Sequence, residues 1–585
     1  MSTEQSRAQE ANVEDILADS DTGGRAPTDK FSANVLWYVP LTWSLFQLWI
    51  ASPLPFMLGI GVMNDTQTRA IHLGFAVLLA YLAFPAFKAA KTNIPAATWA
   101  VAIIAAAAAS YQWYNYEGVA DRVGRPNTLD LVMAGIGIVL LMEAARRSLG
   151  FPLMGVALFF LAYVFFGAWE GLPDVVRWKG ASFEKAMSHM MLTTEGVFGV
   201  ALGVSSGFVF LFVLFGALLN QAGAGNYFLQ LAFAALGHLR GGPAKAAVIA
   251  SAATGLISGS SIANVVTTGT FTIPLMKKVG FTPAKAGAVE VSSSINGVLT
   301  PPVMGAVAFL MTEYVGISYV EVVKTAIIPA AISYIALVYI VHLEALKSGM
   351  TGTSNMNNVK FLLGAVFIIA LSVVIAGAVL FAAGEVVKLF DAIIGPLSTW
   401  ALAGVLAVGY IFAVAVAAKA PDLEMSLDSM EHLPPVREIY KSGLHYLLPI
   451  FLLMYLLMIE RKSPGLSAFW SATFMLIILA TQNPLKALFR GAGLGTTVPD
   501  GFRDIAEGLI AGARNMIGLA CAMGVAGIIV GAVTLTGIGQ VMAEFVEFLS
   551  GGNLLAMLFF VALISIVLGM GLPTTANYIV VSSLM

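Results

Sequence analysis

Long apolar stretches separated by short polar segments run along almost the whole chain. A helix needs about 20 apolar residues to cross the roughly 30 Å hydrocarbon core of a bilayer. Stretches of suitable length lie at about 36–56, 70–87, 97–114, 129–144, 150–168, 198–221, 325–345, 360–382, 397–418, 442–459 and 464–481. The pattern predicts an all-α polytopic membrane protein.

Polar segments predict the orientation of these helices. Residues 1–32 are polar and acidic and lack the basic-then-apolar order of a signal peptide, so we expect a disordered cytoplasmic tail. Basic residues follow the second and fourth stretches, at Lys88 and Lys91 and in the pair 146–147. The positive-inside rule then places the N-terminus in the cytoplasm. A basic loop at 115–128 argues the other way.

The 31 residues between Lys245 and Lys277 contain no charged side chain, yet GSSIAN stands in their middle, at 259–264. One straight helix of this length would measure roughly 46 Å, and the central Gly and Ser residues favour a break. Lysines at both ends prefer the cytoplasmic face, which predicts a re-entrant helical hairpin. Non-helical backbone deep in a bilayer is tolerated where it lines protein or a water-filled cavity, so we expect a binding site at the tip.

The following stretch, about 283–312, is interrupted by Asn296, Gly297, Thr300 and two prolines. Two consecutive prolines remove two backbone donors, so a regular helix cannot continue through them. Transporters coordinate ions with broken helices of this kind, and we expect the break to face the hairpin tip. A plain structural kink is the alternative.

The second half of the chain repeats features of the first. Ala263-Asn264 and Ala576-Asn577 align at an offset of 313 residues, and Phe183 and Phe502 open similar amphipathic arms. Acidic residues without Lys or Arg precede the second hairpin, which predicts entry from the outer face. Two like modules inserted from opposite faces form an inverted repeat, the architecture of alternating-access transporters. We expect the two hairpin tips to line one shared pocket.

Composition narrows the function. The chain is 58% hydrophobic and 11% charged, with a mean hydropathy of +0.85, which suits a protein whose solvent is the lipid bilayer. No basic cluster stands beside interleaved aromatic residues, so nucleic acid is not an expected partner. One cysteine and six scattered histidines show no metal-ligand spacing, and no P-loop is present. We expect no catalytic residues, no cofactor and coupling to an ion gradient.

Candidate binding residues carry hydroxyl or amide oxygens, or lie where the backbone opens. They are Ser260, Ser261, Asn264, Asn296, Gly297 and Thr300 in the first repeat and Thr574, Thr575 and Asn577 in the second. Such oxygens suit a hard cation such as Na⁺, or a carboxylate held with helix N-termini. Helix packing through small residues is the alternative. Glu290 is a possible intramembrane charge, because carboxylates at membrane depth are costly and often functional; otherwise its side chain reaches the cytoplasmic interface.

Three segments carry a resemblance to a known family. They are SGSSIANVVTTGTFTIPLMKKVGF at 258–281, AGAVEVSSSINGVLTPPVMGAVAFLMTE at 286–313 and GMGLPTTANYIVVSSLM at 569–585. They resemble the large membrane subunit of a tripartite ATP-independent periplasmic (TRAP) transporter. The helices in front resemble the small membrane subunit fused to it, and the PPVMGA pattern is similar to the subgroup served by TAXI-type binding proteins.

The resemblance implies an elevator-type permease of the bacterial inner membrane, which takes up organic acids such as C4-dicarboxylates with Na⁺ as the coupling ion. A separate periplasmic solute-binding protein, of TAXI type, would deliver the substrate. The implied division is a small-subunit-like region at 33–180 and a large-subunit-like region at 181–585. The latter comprises a first repeat at about 181–345, linking helices at about 346–490 and a second repeat from about 500. Because the helix expected after the second hairpin is absent, we expect a chain truncated at its C-terminus.

The resemblance also assigns roles to the candidate residues. Ser260, Ser261 and Asn264 would form the first hairpin tip, with the broken helix at 296–300 opposite, and the second tip would hold residues 574–577. Two alternatives remain: a sodium and carboxylate symporter that needs no binding protein, and an intramembrane enzyme. The fused front helices argue against the first. The second requires paired ionisable residues at membrane depth, which the sequence does not offer beyond Glu290.

Overall fold

The fold is built from helices throughout the part of the chain that the structure describes, and no strand occurs there. The structure is a computed structural model. It describes residues 25, 27–86, 93–258, 261–301, 304–350, 378, 381–382, 384–385, 388–389, 398–420, 423, 435–493, 495, 497–570 and 572–584. The predicted span at about 360–382 lies almost entirely outside these residues, as do Lys88 and Lys91.

The front of the chain forms helices that match the predicted windows. They are α1 (Lys30–Ala51), α2 (Leu54–Leu58), α3 (Asp65–Ala83), α4 (Ala96–Ala109), α5 (Tyr111–Tyr114), α6 (Tyr116–Asp121), α7 (Thr128–Leu149) and α8 (Phe151–Phe166). Two of the longer ones start with a reciprocal cap. Asn64 at α3 and Asn127 at α7 each accept a backbone N–H three residues on, and that residue's side chain bonds back to the cap.

The middle of the chain, where the first repeat is predicted, also consists of helices. Its helices are α9 (Phe183–Met187), α10 (Val200–Val204), α11 (Phe210–Gln221), α12 (Ala224–Leu236), α13 (Gly242–Ser258), α14 (Ser261–Lys278), α15 (Pro283–Val298), α16 (Ala306–Val315) and α17 (Tyr319–Lys347). Single π-helical turns, Ser188–Leu192 and Ser205–Val209, extend α9 and join α10 to α11.

The last third completes the order. Its helices are α18 (Ser398–Ala418), α19 (Val436–Ser442), α20 (Leu447–Met454), α21 (Pro464–Phe489), α22 (Thr497–Thr536), α23 (Ile538–Ser550), α24 (Leu554–Gly569) and α25 (Thr574–Leu584). The predicted arm that Phe502 opens is part of one uninterrupted helix, the 40-residue α22. Gly508 and Gly512 let this helix lie close to Leu218 and Leu214 of α11.

Five described helical segments are long and apolar enough to cross a membrane: Thr128–Leu149, Val200–Gln221, Tyr319–Lys347, Pro464–Phe489 and Thr497–Thr536. A sixth is added if Val436–Ser442 and Leu444–Ile459, bent by 52°, form one span. These lengths and compositions confirm the predicted all-α polytopic membrane protein.

The chain divides into two compact units. Unit 1 contains Met1–Phe210, Ala306–Gly316 and Ala513–Met585, and unit 2 contains Leu211–Gly305 and Ile317–Gly512. The first predicted hairpin therefore belongs to unit 2 and the second to unit 1. Two of the boundaries between the units fall inside α11 and α22, so these two helices contribute to both units.

Unit 2 packs its hairpin with small and aromatic side chains. One buried cluster joins α13, α14, α15 and α17 and consists of Ala244, Ala247, Val248, Met276, Phe281, Ala286, Tyr334, Val338, Val341 and Ala345. A second joins α12, α13 and α14 through Leu229, Ala232, Phe233, Ala246, Ala250 and Leu275. Because alanine predominates on α13, neighbouring backbones can approach closely, as is usual between helices in membranes.

The predicted amphipathic arm that begins at Phe183 is packed against protein. Met187, Met190 and Met191 are buried, whereas Phe183 is exposed. In unit 1 the arm contacts α7, and the methyl group of Met191 lies against Gly137 of that helix. The helical spacing of the methionines thus marks a packed face.

Candidate functional site

The segment predicted as the first hairpin consists of two helices that turn back on each other. Helices α13 and α14, of 17 and 18 residues, are each about 26 Å long. Residues equally far from the break are in contact, since Thr254 bonds to Asn264 and Ser251 to Thr268. The two arms are therefore antiparallel. Residues 259–260 between them, including the predicted Ser260, lie outside the described residues.

Asn264 ties the two arms together near this break. Its side chain is 1% exposed. Its Nδ2 donates to the backbone oxygen of Ser251 at 2.9 Å, and its Oδ1 accepts from the hydroxyl of Thr254 at 2.5 Å. Because an unpaired buried amide is costly, these bonds fix the position of Asn264 and with it the start of α14. Ser261, the first residue of α14, is partly buried.

The broken helix approaches the same point through Gly297. A Cβ atom placed on Gly255 of α13 would lie 2.5 Å from the Cα of Gly297 on α15. A Cβ on Gly297 would meet the Cα of Gly255 at 2.9 Å and the Nδ2 of Asn264 at 3.4 Å. Both positions therefore require glycine. The structure thus brings two predicted residues, Asn264 and Gly297, side by side.

The other two predicted residues of the broken helix contact α17 instead. The Oδ1 of Asn296 accepts from the hydroxyl of Ser333 at 2.8 Å. The hydroxyl of Thr300 lies 2.9 Å from the backbone oxygen of Asn296 and 3.2 Å from the hydroxyl of Tyr334. Helix α15 ends at Val298, and Met304 after the break has a φ of 51°. These contacts anchor the break to α17 rather than to the tip.

Glu290 occupies a fully buried position between α13, α14 and α15. Its Oε2 accepts from the hydroxyl of Thr272 at 2.5 Å. Its Oε1 accepts from Ser251 at 2.9 Å, from Ser294 at 3.4 Å and from Thr268. The side chain thus ends among hydroxyls inside the protein and does not reach an interface.

Sequence reasoning missed these four hydroxyl residues. A usable signal exists, because Asn264, Thr268 and Thr272 recur at every fourth position, and Ser294 follows Glu290 by the same interval. Residues four apart share one face of a helix. A polar stripe at that spacing on α14, opposite a lone carboxylate on α15, indicates a polar core between the two helices.

The second predicted hairpin, in unit 1, repeats the bond of the first. The Nδ2 of Asn577 on α25 donates to the backbone oxygen of Ser565 on α24 at 3.1 Å. A Cβ on Gly569 would lie 3.0 Å from the same Nδ2. Thr574 opens α25 and is exposed, whereas Thr575 is buried.

The remaining amide atom of Asn577 differs from that of Asn264. Its Oδ1 is buried and has no hydrogen-bond partner among the described residues. A buried amide oxygen without a hydrogen-bond donor can accept a hydrogen bond or coordinate a cation. Gly571, between the two arms, lies outside the described residues.

Comparison with known proteins agrees with this architecture. The profile of the family described as "Tripartite ATP-independent periplasmic transporter, DctM component" matches residues 136–393 and 365–585. Together the two matches cover more than half of the chain and include both hairpins. The first predicted helices of the chain lie outside the matched region.

Individual relatives match over shorter segments. An uncharacterised protein, y4mL, of Sinorhizobium fredii is 31% identical over 24% of this chain and 32% of its own length. The C4-dicarboxylate TRAP transporter large permease protein DctM of Pseudomonas aeruginosa is 28% identical over 23% and 31%. The protein of that name from Rhodobacter capsulatus is 39% identical over 16% and 21%. Each alignment thus spans a third or less of the relative.

The breadth of the family match, together with two hairpins built on one pattern, decides the assignment. The family is one of transporter permeases, so the chain is not an enzyme. This chain belongs to the DctM component family of tripartite ATP-independent periplasmic transporters.

Proposed function

We propose that this chain is the permease of a secondary active uptake system for organic acids, such as C4-dicarboxylates or related carboxylates. Uptake is driven by a Na⁺ gradient, and a periplasmic solute-binding protein of TAXI type delivers the substrate. The permease lies in the bacterial inner membrane with its N-terminus in the cytoplasm. The substrate class is that of the C4-dicarboxylate permeases of Pseudomonas aeruginosa and Rhodobacter capsulatus, to which this chain is similar.

The observation that carries the proposal is the repeated bond inside each hairpin. Asn264 donates to the backbone oxygen of Ser251, and Asn577 donates to that of Ser565. The same residue pair recurs in two units that are distant in sequence, which supports a duplicated module. Duplicated modules with discontinuous helices are typical of alternating-access transporters.

The first hairpin supplies oxygens suited to a Na⁺ site. We assign to it Ser260, Ser261 and Asn264 at the tip, with backbone oxygens where α15 ends, near Gly297. Asn296 and Thr300 take part through their backbone, since their side chains bond to α17. Hard cations prefer such neutral and partly charged oxygens.

The second hairpin supplies a comparable set. Thr574 and Thr575 offer hydroxyls, and the buried Oδ1 of Asn577 offers an acceptor that no described group satisfies. The Nδ2 of Asn577 is hydrogen-bonded to Ser565, and this bond fixes the orientation of the amide. The Oδ1 is therefore already positioned to bind a cation. We assign these three residues to a second ion site.

Uptake measurements on the purified permease in proteoliposomes test this function. Labelled C4-dicarboxylates would be supplied with and without an inward Na⁺ gradient, and with and without a TAXI-type binding protein. We expect uptake only when both are present. Uptake without the binding protein would favour the symporter alternative, and uptake indifferent to Na⁺ would contradict sodium coupling.

An asparagine pair refines the test. Asn264→Ala is expected to weaken the Na⁺ dependence of uptake, since it removes a proposed ligand. Asn226→Ala is the matched control, because Asn226 on α12 bonds to the backbone of Leu423 and to Gln230, away from the hairpin break. Equal Na⁺ dependence in the two variants would reject the assignment of Asn264.

A further inference from the structure

The cluster around Glu290 is separate from the proposed Na⁺ ligands and needs its own explanation. All four of its hydroxyl partners lie on the hairpin arms or on α15, and Glu290 itself is 0% exposed. Its polar partners in the described part of the chain are hydroxyls, none of them cationic. A buried carboxylate that faces no cation is costly, whereas the neutral acid is far less so.

The number of available hydroxyl protons also favours a protonated Glu290. The hydroxyl of Thr268 lies 2.8 Å from the backbone oxygen of Asn264 and also bonds to the Oε1 of Glu290. One hydroxyl proton can serve only one of these two acceptors. If Glu290 carries a proton, its own O–H donates to Thr268, and Thr268 donates to Asn264, so both contacts are satisfied.

The oxygens of the cluster lie at hydrogen-bond distance from one another. Here the Oγ of Ser251 lies 2.9 Å from Glu290 and 3.2 Å from the hydroxyl of Thr268. Oxygens at these distances share a proton, and the carboxyl of a protonated Glu290 supplies one.

Five charged or titratable groups on the neighbouring helices bond to partners other than Glu290. Lys245 of α13 lies 2.9 Å from His342 of α17, Lys285 of α15 pairs with Glu344 of α17, and Tyr334 of α17 bonds to Thr300. Lys277 and Lys278 stand at the exposed end of α14. None of them belongs to the groups that bond to Glu290, so the carboxyl is the titrating group of the cluster.

We propose that Glu290, with the hydroxyls of Ser251, Thr268, Thr272 and Ser294, forms a proton-binding site that acts in the transport cycle. The proton enters Glu290 from water on one side of the membrane and leaves to water on the other. Ser251 and Thr268 connect this site to the hairpin tip, because the backbone oxygen of Ser251 accepts from Asn264 and Thr268 bonds to its backbone. The binding of the proton stands on the geometry of unit 2, whereas its use in coupling rests on the proposed transport function.

Infrared spectroscopy of the purified permease tests proton binding without any substrate. At neutral pH, the wild type is expected to show the carbonyl stretching band of a protonated carboxylic acid. Glu290→Gln removes the band. The control Glu344→Gln, which removes a carboxylate from the ion pair with Lys285, leaves it in place. A spectrum of folded Glu290→Gln that matches the wild type overturns the proposal.

A milder variant keeps the test decisive if Glu290→Gln does not fold. Thr272→Val retains the carboxyl and removes the hydroxyl that bonds to its Oε2. The acid band is then expected to shift in frequency, because one of its hydrogen bonds is lost. A wild type without an acid band, or a band that Thr272→Val leaves unshifted, overturns the proposal.

Transport measurements test the coupling step. Wild-type uptake is expected to rise when the external solution is made more acidic than the lumen, and Glu290→Gln is expected to lose this response. Na⁺-driven uptake that ignores the pH gradient in the wild type would refute the coupling step and leave the proposed function standing. Absence of all organic-acid uptake would refute the proposed function, while the infrared result would still decide proton binding.

Discussion

The two hairpins contain the same kind of hydrogen bond, but the surroundings of that bond differ. In each, an asparagine at the start of the returning arm donates to a serine backbone oxygen of the preceding arm. In the first hairpin, α13 is largely buried by protein and its asparagine oxygen is satisfied by Thr254. In the second, no residue of α24 is buried, and the oxygen of Asn577 has no partner among the described residues.

This contrast distinguishes the residues that close a hairpin from the residues that give it a polar core. The serine and asparagine pair closes the turn locally, so it can be duplicated without its surroundings. The polar core around Glu290 needs a third helix, α15, to supply the carboxylate. The shared bond therefore accounts for the shape of both hairpins, and the neighbouring helices account for their chemistry.

The glycine contact of the first hairpin should be the most sensitive position. Gly255→Ala places a methyl group 2.5 Å from the backbone of Gly297, so the arms must separate, at a cost of about 3 kcal/mol. Thermal unfolding of the purified protein measures the loss. Gly287→Ala on α15 is the control, since nothing lies within 4 Å of the added atom. It should be neutral or stabilise by up to about 1 kcal/mol.

Substitution of the two hairpin asparagines should cause the next largest losses of stability. Asn264→Ala removes two buried hydrogen bonds and should lower the free energy of unfolding by about 2 kcal/mol, whereas Asn577→Ala removes one and should cost about 1 kcal/mol. Unfolding curves of both variants provide the comparison. Equal losses would mean that the bond between Thr254 and Asn264 contributes nothing to the first hairpin.

A threonine pair on α14 tests the polar core. Thr268→Val removes a hydroxyl bonded to Glu290 and should cost about 1 kcal/mol of stability. Thr270→Val, two residues on, removes a hydroxyl that bonds to the backbone oxygen of Thr267 on its own helix and should change stability by less than about 0.5 kcal/mol. The difference in melting temperature between the variants is the readout. Equal melting temperatures of the two variants would show that the hydroxyl of Thr268 in the polar core does not stabilise the protein.

The smallest effect should come from the glycine of the second hairpin. Gly569→Ala brings its methyl group within 3.0 Å of the Asn577 side chain, which can shift, so the change in stability should stay within about 1 kcal/mol. Comparing its melting temperature with that of Gly255→Ala shows whether backbone contact or side-chain contact limits each hairpin. A loss as large as that of Gly255→Ala would contradict the comparison.

The sequence predicted helix positions well because apolar length and glycine or proline breaks are local signals. The hairpin break near 259–260 and the helix end near Val298 were predicted for this reason, and the structure confirms helices on both sides of each. The uninterrupted α22 was not predicted, because the polar residues in its first turns suggested a separate arm.

Side-chain partners were harder to predict, since they depend on which helices pack together. Asn264 and Gly297 were expected near each other and are. Asn296 and Thr300 were expected beside them. Asn296 lies one position from Gly297 on α15 and therefore faces a different neighbour, and Thr300 lies beyond the end of that helix. The hydroxyls around Glu290 come from three helices, so no single window of the sequence contained the cluster.

Labelling from each side of the membrane tests the central claim, that the first hairpin enters and leaves on one face. The buried Cys521 would be replaced by alanine, and a single cysteine introduced in Arg240→Cys, before α13, or in Lys277→Cys, at the exposed end of α14. Both positions should react with an impermeant thiol reagent only from the cytoplasmic side. Reaction from opposite sides would show that α13 and α14 cross the bilayer as one span, which would contradict the account.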